Sequence, residues 1–413
     1  MKTIKDSHQG IGTILAFALI PLSGFATDIF IPSLPTMAKD LNVSTAAVQL
    51  SLVLFFISSG ISQLFTGAIL DSFGRYRPGL FALAVFAAAS FAIAVFPDIY
   101  VLYVMRVVQG ITISLIVVGK RAFFADMYSG EKLKHYTSLF VIIWSTAPIL
   151  APFIGGYLQS IFGWHSSFYF LGGLAIAFFL LELAFSGETL RYFHPFKAKP
   201  ILDVYAHMLG AGDFAIGLVI LGSCYGLVVM YGMASPFIIE RVFNLSPVIT
   251  GYSSLLSGVA IIIGGTLAKT LIKVPLPEKV PVAVILMAIF SGLIMLTGAL
   301  HTNIYIMIGL TMGLHISGGF VFNVIYGYCL GRFSGNAGTA AGLTGGGMYI
   351  VSSVISYGLV SLYAIRTQTI LGASNITGVA LVVIAFLAFG KFRNSRSFRK
   401  EVPDIVRIDK SLS

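Results

Sequence analysis

Two charged residues stand inside long apolar stretches of this sequence: Asp28 in FATDIFIPSLP (25–35) and Arg106 in YVMRVVQG (103–110). A charge at the centre of a membrane-spanning helix costs about 2.5–3.5 kcal/mol on insertion scales, so such residues usually have a function. Burial away from water disfavours the charged carboxylate, so Asp28 can bind and release protons near neutral pH. We predict a proton-coupling or cation-binding site at Asp28. A structural ion pair, or an acid that only faces a water-filled vestibule, is the alternative.

The loop GAILDSFGRYR (67–77) combines one carboxylate, two glycines and two arginines. Asp71 can pair with nearby arginines or cap an adjacent helix N-terminus. Ion pairs between helix ends can break and reform, which predicts a gating loop; a solvated turn with surface charges is the alternative. The predicted gating residues are Gly67, Asp71, Gly74, Arg75, Arg77 and Arg121, of which the three arginines are the candidate partners of Asp71.

The segment WSTAPILAPFIGG (144–156) removes two backbone donors one turn apart and then places two adjacent glycines. A helix with these residues is locally bent and closely packed. We therefore predict that Pro148, Pro152, Gly155 and Gly156 form a dry seam between two halves of the molecule.

Several other polar or aromatic residues fall inside apolar stretches. His315 can titrate near neutral pH, although a hydrogen-bonded packing role is equally compatible with the sequence. Glu182 lies near the end of its apolar stretch, where snorkelling to water is easy. The candidates for lining a substrate cavity are Phe25, Gln109, Tyr225, Tyr231, His315 and Asn323. No metal-ligand spacing, nucleotide-binding loop or nucleophile elbow is present in the sequence, so we expect no metal and no enzymatic activity.

The elements that must position these residues are membrane-spanning helices. Of 413 residues, 57% are hydrophobic and only 10% are charged, against roughly 25% in soluble domains. Apolar runs approach the ~20 residues that cross a bilayer. The sequence predicts twelve spans, at 11–37, 46–68, 79–96, 99–122, 137–159, 166–186, 213–239, 249–270, 280–300, 303–330, 337–364 and 371–391. Cys224 and Cys329 both fall inside spans, so no disulfide framework is expected.

The basic residues are distributed unevenly about these spans. With twelve spans both termini lie on one side, called here the terminus side, and 22 of the 26 Lys and Arg residues fall there. The opposite side holds three, and Arg106 lies within a span. This is the positive-inside pattern, so both termini should be cytoplasmic. The same pattern argues against nucleic acid as the reason for the net charge of +10.

The predicted spans also place the two buried charges at a similar depth. The midpoints of spans 1 and 4 lie near residues 24 and 110, so Asp28 and Arg106 are each four residues towards the opposite side, or about 6 Å. Each is then the only plausible partner of opposite sign for the other, and Arg106 cannot release its own proton. We predict that they act together in proton coupling; a static pair that only orders two helices is the alternative.

The spans divide into two halves around the longest polar gap. We predict an N-terminal six-helix bundle at 1–190, a cytoplasmic linker at 191–212, a C-terminal six-helix bundle at 213–391 and a basic cytoplasmic tail at 392–413. Two pseudo-symmetric halves with a substrate between them at mid-membrane is the general plan of many transporters.

The chain resembles the drug/proton antiporter branch of the major facilitator superfamily, in particular the Bcr/CflA group of bacterial exporters. The resemblance is carried by TDIFIPSLP (27–35), the 67–77 loop, R-x-x-Q-G (106–110), AP-x-x-AP-x-x-GG (147–156) and GETL (187–190). It implies alternating access, Asp28 as proton acceptor, Arg106 as its modulator and an antiporter motif in span 5. The chain departs from the group at Trp164-His165, where relatives often have W-R, and at Ile20, where related exporters can carry a second acid.

These features predict proton-coupled export of a small amphipathic compound, such as a drug or a secreted metabolite like a siderophore. Import of a small nutrient by proton symport is the alternative, and a non-transporting membrane sensor or scaffold is a minor one. We expect the proton to be the coupling ion with no other cofactor. The expected partners are a small-molecule substrate and the lipid bilayer, without nucleic acid, for a monomer in the bacterial inner membrane.

Overall fold

The computed structural model describes residues 3–333 and 337–394. Its regular structure in these ranges is helical, apart from one isolated bridge between Thr3 and Glu188. The α-helices are α1 (Gln9–Leu19), α2 (Leu22–Asp28), α3 (Leu34–Asp40), α4 (Thr45–Phe73), α5 (Tyr76–Val95), α6 (Ile99–Met127), α7 (Gly130–Phe162), α8 (His165–Phe185), α9 (Ala198–Gly210), α10 (Gly212–Arg241), α11 (Pro247–Thr270), α12 (Leu276–Leu300), α13 (Ile304–Arg332), α14 (Ala337–Tyr363) and α15 (Gln368–Asn394).

Eleven helical segments in the described ranges are long and apolar enough to cross a membrane, and α1–α3 together form the first of them. The twelfth long segment is α7, with 33 residues, which occupies the predicted fifth span. Residues 139–156 of α7 contain no Asp, Glu, Lys or Arg. The predicted all-α architecture of twelve membrane-spanning segments is therefore confirmed.

The two halves repeat the same device for starting a helix. Asp98 caps α6, its Oδ1 accepting the backbone N–H groups of the second and third residues that follow it, at 2.8 and 3.0 Å. Asn303 caps α13 in the same way, at 2.9 and 3.2 Å. Both caps precede Ile-Tyr, and both satisfy backbone donors that a helix start leaves free. The fourth span of each half thus begins with the same local structure.

The first span is broken, whereas a single segment at 11–37 is predicted from the sequence. Helix α2 ends at Asp28, a 3₁₀ turn runs over Ile31–Ser33, and α3 continues to Asp40. Pro32 has no N–H to donate, so the helix cannot close a hydrogen bond onto the carbonyl of Asp28. The break places the Asp28 side chain at the end of a helix rather than along its side.

The two halves meet along two pairs of helices, α4 with α14 and α7 with α11. Among the described residues, two hydrogen bonds cross between the halves on the side opposite the termini. Gln49 Nε2 donates to the carbonyl of Met233 at 2.7 Å, and the hydroxyls of Tyr157 and Tyr252 are 3.2 Å apart. The halves therefore close against each other on this side of the molecule.

The predicted linker at 191–212 contains a helix, α9, that is not predicted from the sequence. Its residues Val204, Tyr205 and Met208 are buried, and the Tyr205 hydroxyl donates to the carbonyl of Leu64 at 2.7 Å. Burial raises the pKa of Tyr205 to about 12, so this donor keeps its proton over the ordinary pH range. Helix α9 contacts α10 and α14 as well. The boundaries of the two bundles and the linker stay predictions, and residues 395–413 of the predicted tail lie outside the described ranges.

Candidate functional site

A cavity lies between the two halves, with about 1010 Å³ of unoccupied space, a figure that includes space open to solvent. Its walls come from the first span, α4 and α7 on one side and from α10, α11 and α13 on the other. Most of the side chains that line it are aliphatic or aromatic, such as Leu52, Phe56 and Phe322. Such a wall suits an apolar compound and leaves the few polar side chains to decide selectivity.

Asp28 lines this cavity at the point where α2 ends. Among the lining residues of the described chain, it is the only one with a carboxylate, an ammonium or a guanidinium group. Its half-buried side chain therefore meets an apolar space in which the carboxylate has little solvation. The predicted position of Asp28 in a cavity agrees with this geometry, while its role in proton coupling stays a prediction.

Arg106 is fully buried in α6 behind the break in the first span. Its Nη1 donates to the carbonyl of Ala26 at 2.8 Å and to Gln109 Oε1 at 2.9 Å. The guanidinium carbon lies 4.6 Å from the ring centroid of Phe30 and 4.3 Å from that of Phe55. A cation between two aromatic faces is stabilised by the ring quadrupoles. Arg106 thus holds the break in the first span against α6 and α4.

The predicted direct pairing of Asp28 with Arg106 is not observed. Among the ion pairs of the described residues, none joins the two side chains. The physical reason is that α2 ends at Asp28, so its last turn offers a carbonyl, that of Ala26, to the guanidinium. Arg106 Nε and Nη2 are buried and have no hydrogen-bond partner among the described residues. A joint role of Asp28 and Arg106 in proton coupling stays a prediction.

The predicted cavity candidates divide into residues that line the space and residues that do not. Tyr225 and Tyr231 line it. Phe25 packs instead against Phe170, with centroids 6.1 Å apart, and Gln109 is buried away from the cavity, donating to Ser90 at 2.8 Å. Neither Phe25 nor Gln109 is a lining residue because each points into contacts between helices of the N-terminal half.

The two remaining candidates lie on α13. Asn323 Nδ2 donates to the carbonyl of Gly319 at 2.8 Å and is not a lining residue. His315 is buried, and its Nδ1 is 2.7 Å from Ser257 Oγ, which does line the cavity. His315 therefore reaches the cavity through Ser257, a residue that the sequence analysis does not select.

The gating loop forms a lattice of charges centred on Arg75. Arg75 Nη1 is 2.7 Å from Asp71 Oδ1, and Arg75 Nε is 3.1 Å from Oδ2 of Asp126 on α6. Of the three candidate partners of Asp71, the structure thus selects Arg75; Arg77 and Arg121 are exposed. Gly67 has open space around its Cα, with nothing within 4 Å of an added Cβ.

Glu188, rather than Asp71, caps the adjacent helix N-terminus. Its carboxylate accepts the backbone N–H groups of Arg75 and Tyr76 at 3.0–3.2 Å, at the start of α5. Gly74 has φ +89°, and a Cβ there would collide with Glu188. Glycine is therefore required at position 74 both for the backbone conformation and for the approach of the carboxylate.

The seam motif brings α7 into close contact with the first span and with α11. A Cβ on Gly155 would lie 1.7 Å from the carbonyl oxygen of Ile29, and one on Gly156 would lie 2.9 Å from that of Pro247. Pro148 and Pro152 line the cavity one turn apart on α7. The motif thus forms a wall of the cavity and the adjoining contact between the halves.

Glu182 does not snorkel to water, in contrast to the interpretation from the sequence. It is buried on α8, and its Oε2 is 2.5 Å from Nζ of Lys120 on α6. The side chain faces a neighbouring helix that carries a cation, so an ion pair replaces contact with water.

Twelve membrane-spanning segments in two halves around a central cavity define the class of multi-pass secondary transporters. The model of the Major Facilitator Superfamily matches residues 16–357, and the chain belongs to this family. The predicted family is thereby confirmed, and a transporter rather than an enzyme is indicated.

Three relatives illustrate the sequence similarity. The Uncharacterized MFS-type transporter YdgK of Bacillus subtilis is 28% identical over 88% of this chain and 90% of its own length. The Bicyclomycin resistance protein homolog of Haemophilus influenzae is 32% identical over 44% of this chain and 46% of its own length. Multidrug resistance protein D of Escherichia coli is 28% identical over 54% of both chains. The last two names agree with the predicted branch of drug exporters.

Solved structures of transporters share the fold. A D-xylose-proton symporter superposes with a TM-score of 0.68 at 15% identity, covering 90% of this chain and 96% of its own. A bacterial homologue of the human lysosomal transporter Spinster, in an inward-facing unoccupied conformation, has a TM-score of 0.69 at 12% identity, over 94% and 97%. At these identities the likeness supports the fold alone.

Proposed function

We propose that this chain is a proton-coupled secondary transporter that exports small amphipathic compounds by alternating access. Asp28 is the proton-coupling residue of the proposal. The single observation that carries it is the position of this carboxylate, the only charged group among the described residues that line the cavity between the halves. The names of the relatives that include bicyclomycin and multidrug resistance support compounds of the drug class.

The chemistry follows from one carboxylate in an apolar cavity. Ionised Asp28 attracts a cationic or strongly dipolar substrate, and a protonated Asp28 no longer does so. Proton binding from one side and substrate binding from the other therefore compete for the same group. Arg106, held by the carbonyl of Ala26, keeps a fixed positive charge nearby that favours the ionised carboxylate. Exchange of one proton for one substrate molecule is the simplest stoichiometry for one carboxylate.

The proposed cycle alternates the opening of the cavity between the two sides of the membrane. On the side opposite the termini, the contact of α7 with α11 and the Tyr157–Tyr252 hydrogen bond close the halves. On the terminus side, the Arg75 lattice and its Glu188 cap lie within the N-terminal half, where they set the ends of α4 and α5. We place the protein in the bacterial inner membrane with both termini cytoplasmic, as a monomer with the proton as its only coupling partner.

The test uses ethidium in everted membrane vesicles from bacteria that lack their own efflux pumps. Respiration acidifies the vesicle interior, so an exporter accumulates the dye inside and a protonophore abolishes the accumulation. We expect at least a tenfold loss of this accumulation in Asp28→Asn, the effect of about 1.4 kcal/mol or more on the transport step. Asp28→Glu is the matched control, because it keeps an ionisable carboxylate at the same position.

Equal accumulation by wild type and Asp28→Asn would exclude Asp28 as the coupling residue. Accumulation that a protonophore does not reduce would exclude proton coupling altogether. Movement of a nutrient together with protons, down an inward gradient in right-side-out vesicles, would replace export by the alternative of proton symport.

A further inference from the structure

The cavity carries a second group of polar side chains on the wall that faces Asp28 from the C-terminal half. Ser254 and Ser257 lie one turn apart on α11, and Tyr231 lies on α10; all three line the cavity. From this wall we infer that the transported compounds carry an uncharged hydrogen-bonding group, a hydroxyl, carbonyl or amide, that binds Ser254 and Ser257 while the rest of the molecule lies towards Asp28. The inference deepens the proposed export function and rests on it for the direction of transport.

Ser257 is held in place from behind by His315. The hydroxyl oxygen and the imidazole Nδ1 are 2.7 Å apart, and His315 is 2% exposed. Either atom can be the donor, so the histidine fixes the serine oxygen while leaving it able to donate or accept towards the cavity. The other ring nitrogen, Nε2, is buried without a partner among the described residues. The imidazole is packed edge-on against the Tyr231 ring at 5.4 Å, which limits its rotation.

Ser254 provides the second, independent observation. Its hydroxyl oxygen is buried and has no hydrogen-bond partner in the described chain, although the residue lines the cavity and is only 9% exposed. Serine hydroxyls in helices ordinarily bond a carbonyl of the preceding turn, as Ser291 does on α12. A buried hydroxyl without a partner is unfavourable. A hydrogen-bonding group of the substrate removes that cost.

A further hydroxyl near these serines, that of Tyr231, is already occupied. Tyr231 forms a short hydrogen bond with Ser253, the residue next to Ser254 on α11. This bond fixes the tyrosine ring as a flat wall, and Ser254 and Ser257 are the cavity-lining hydroxyls that α11 contributes. The polar wall therefore has a defined composition: Ser254 and Ser257 bind, and His315, Tyr231 and Ser253 position them.

The charge of the cavity decides which polar groups this wall accepts. No lysine or arginine is among the described residues that line it, so a substrate carboxylate or phosphate would meet Asp28 without a compensating cation. Neutral hydrogen-bonding groups avoid this cost and match hydroxyl partners of either polarity. The substrate class is therefore an uncharged or cationic amphipathic compound with at least one hydroxyl, carbonyl or amide group.

The experiment compares two cations that differ by one hydroxyl: (4-methylphenyl)triphenylphosphonium and (4-hydroxymethylphenyl)triphenylphosphonium. Binding to the purified full chain in lipid nanodiscs is followed by quenching of Trp144, which lines the cavity; Trp144→Phe identifies its signal. We expect wild type to bind the hydroxymethyl compound about 5-fold more tightly, the effect of one neutral hydrogen bond. Ser257→Ala and Ser254→Ala should bring the ratio of the two dissociation constants close to one.

The same ratio of dissociation constants tests the positioning role of His315. His315→Phe should reduce the preference for the hydroxymethyl compound, and His315→Gln, which can still bond Ser257, should restore part of it. Ser291→Ala is the matched control, since it removes a buried serine hydroxyl outside the cavity. It should leave the ratio at the wild-type value.

Equal affinity of wild type for the two cations, or failure to bind either, would overturn the inference. A Ser257→Ala variant that weakens both cations equally would also overturn it, because that result reports packing rather than a hydrogen bond. Failure of the export proposal gives a different result: proton-independent ethidium accumulation, unaffected by Asp28→Asn. The preference ratio measured at equilibrium does not depend on that outcome.

Discussion

The cap that Glu188 places on α5 gives the sharpest stability prediction for this protein. The carboxylate accepts four backbone N–H groups: those of Arg75 and Tyr76 at the start of α5, and those of Thr189 and Leu190 in its own turn, at 3.0–3.2 Å. Glu188 is 6% exposed. Glu188→Gln keeps the shape but replaces one acceptor oxygen by an NH₂ group, which faces backbone donors.

The magnitude follows from the number of donors left without an acceptor. About two N–H groups lose their partner, each at about 1–3 kcal/mol when buried. The negative charge at the N-terminus of α5 contributes a further 0.3–1 kcal/mol, approximately. We therefore expect Glu188→Gln to lower the free energy of unfolding by about 2–7 kcal/mol and the midpoint of thermal unfolding by about 2 °C or more.

The assay is thermal unfolding of both proteins in the same detergent, followed by circular dichroism. Glu131→Gln is the matched control, since Glu131 forms an ion pair with Lys134 at 2.9 Å in which the side chains are 90% and 75% exposed. Such exposed pairs change stability very little. Hydrogen exchange at the Arg75 and Tyr76 amides should accelerate in Glu188→Gln alone. An unchanged midpoint with unchanged exchange at these amides would refute the reasoning.

Three further predictions concern packing, a buried charge and a phenol. Gly155→Ala places a methyl group 1.7 Å from a backbone oxygen of the first span. It should lower the free energy of unfolding by about 1–3 kcal/mol through overpacking, and so lower the midpoint of thermal unfolding. Gly173→Ala, whose added methyl group meets open space, should leave the midpoint unchanged. Lys120→Met leaves the buried Glu182 carboxylate without its cation and should lower the free energy of unfolding by about 3–5 kcal/mol. The double variant Lys120→Met with Glu182→Leu should recover most of this loss. Thermal unfolding of the single and double variants measures both effects. In the folded protein the pKa of Tyr205 is raised to about 12, above its ordinary value of about 10. The stability that the protonated phenol contributes is therefore complete below pH 10 and is lost as the pH rises towards 12. In a pH titration of the unfolding midpoint, Tyr205→Phe should lack this decrease.

The membrane-spanning architecture could be predicted from the sequence because it depends on local properties. Apolar length and the distribution of basic residues identify the spans, and the described helices agree with them. The apolar run alone predicts one continuous first span, but the break after Asp28 has a local cause in Pro32, whose missing N–H is a property of a single residue. Where a structural consequence arises within one turn of the chain, the sequence is sufficient to state it.

The partners of the charged groups could not be predicted because they depend on distant contacts. Glu188 is 113 positions from Arg75 in the chain. The start of α5 has no capping side chain of its own, and this absence is the one signal in the sequence that an acceptor from elsewhere is needed. The predicted spans place Asp28 and Arg106 at a similar depth, but depth does not determine which acceptor the guanidinium binds. Because α2 ends at Asp28, the carbonyl of Ala26 is available and accepts the hydrogen bond from Arg106.

Helix α9 and the serine wall were missed for different reasons. Apolar residues at 201, 204, 205 and 208 have the spacing of one helix face, but the charges around them gave the segment the composition of a linker. Ser254 and Ser257 are ordinary small residues of a span in the sequence. Only the packing of α11 against α13 shows that His315 lies behind Ser257.

The bond between Arg106 and the carbonyl of Ala26 also has a consequence for biogenesis. As an isolated helix, α6 carries a guanidinium four residues from the midpoint of the predicted span, and a guanidinium at a helix centre costs about 2.5–3.5 kcal/mol on entering the bilayer. The chain is synthesised from its N-terminus, so the acceptor on the first span is already in the membrane when Arg106 leaves the ribosome. The broken first span therefore supplies an acceptor that offsets part of this cost, and deletion of residues up to 26 is expected to lower the efficiency with which the fourth span inserts.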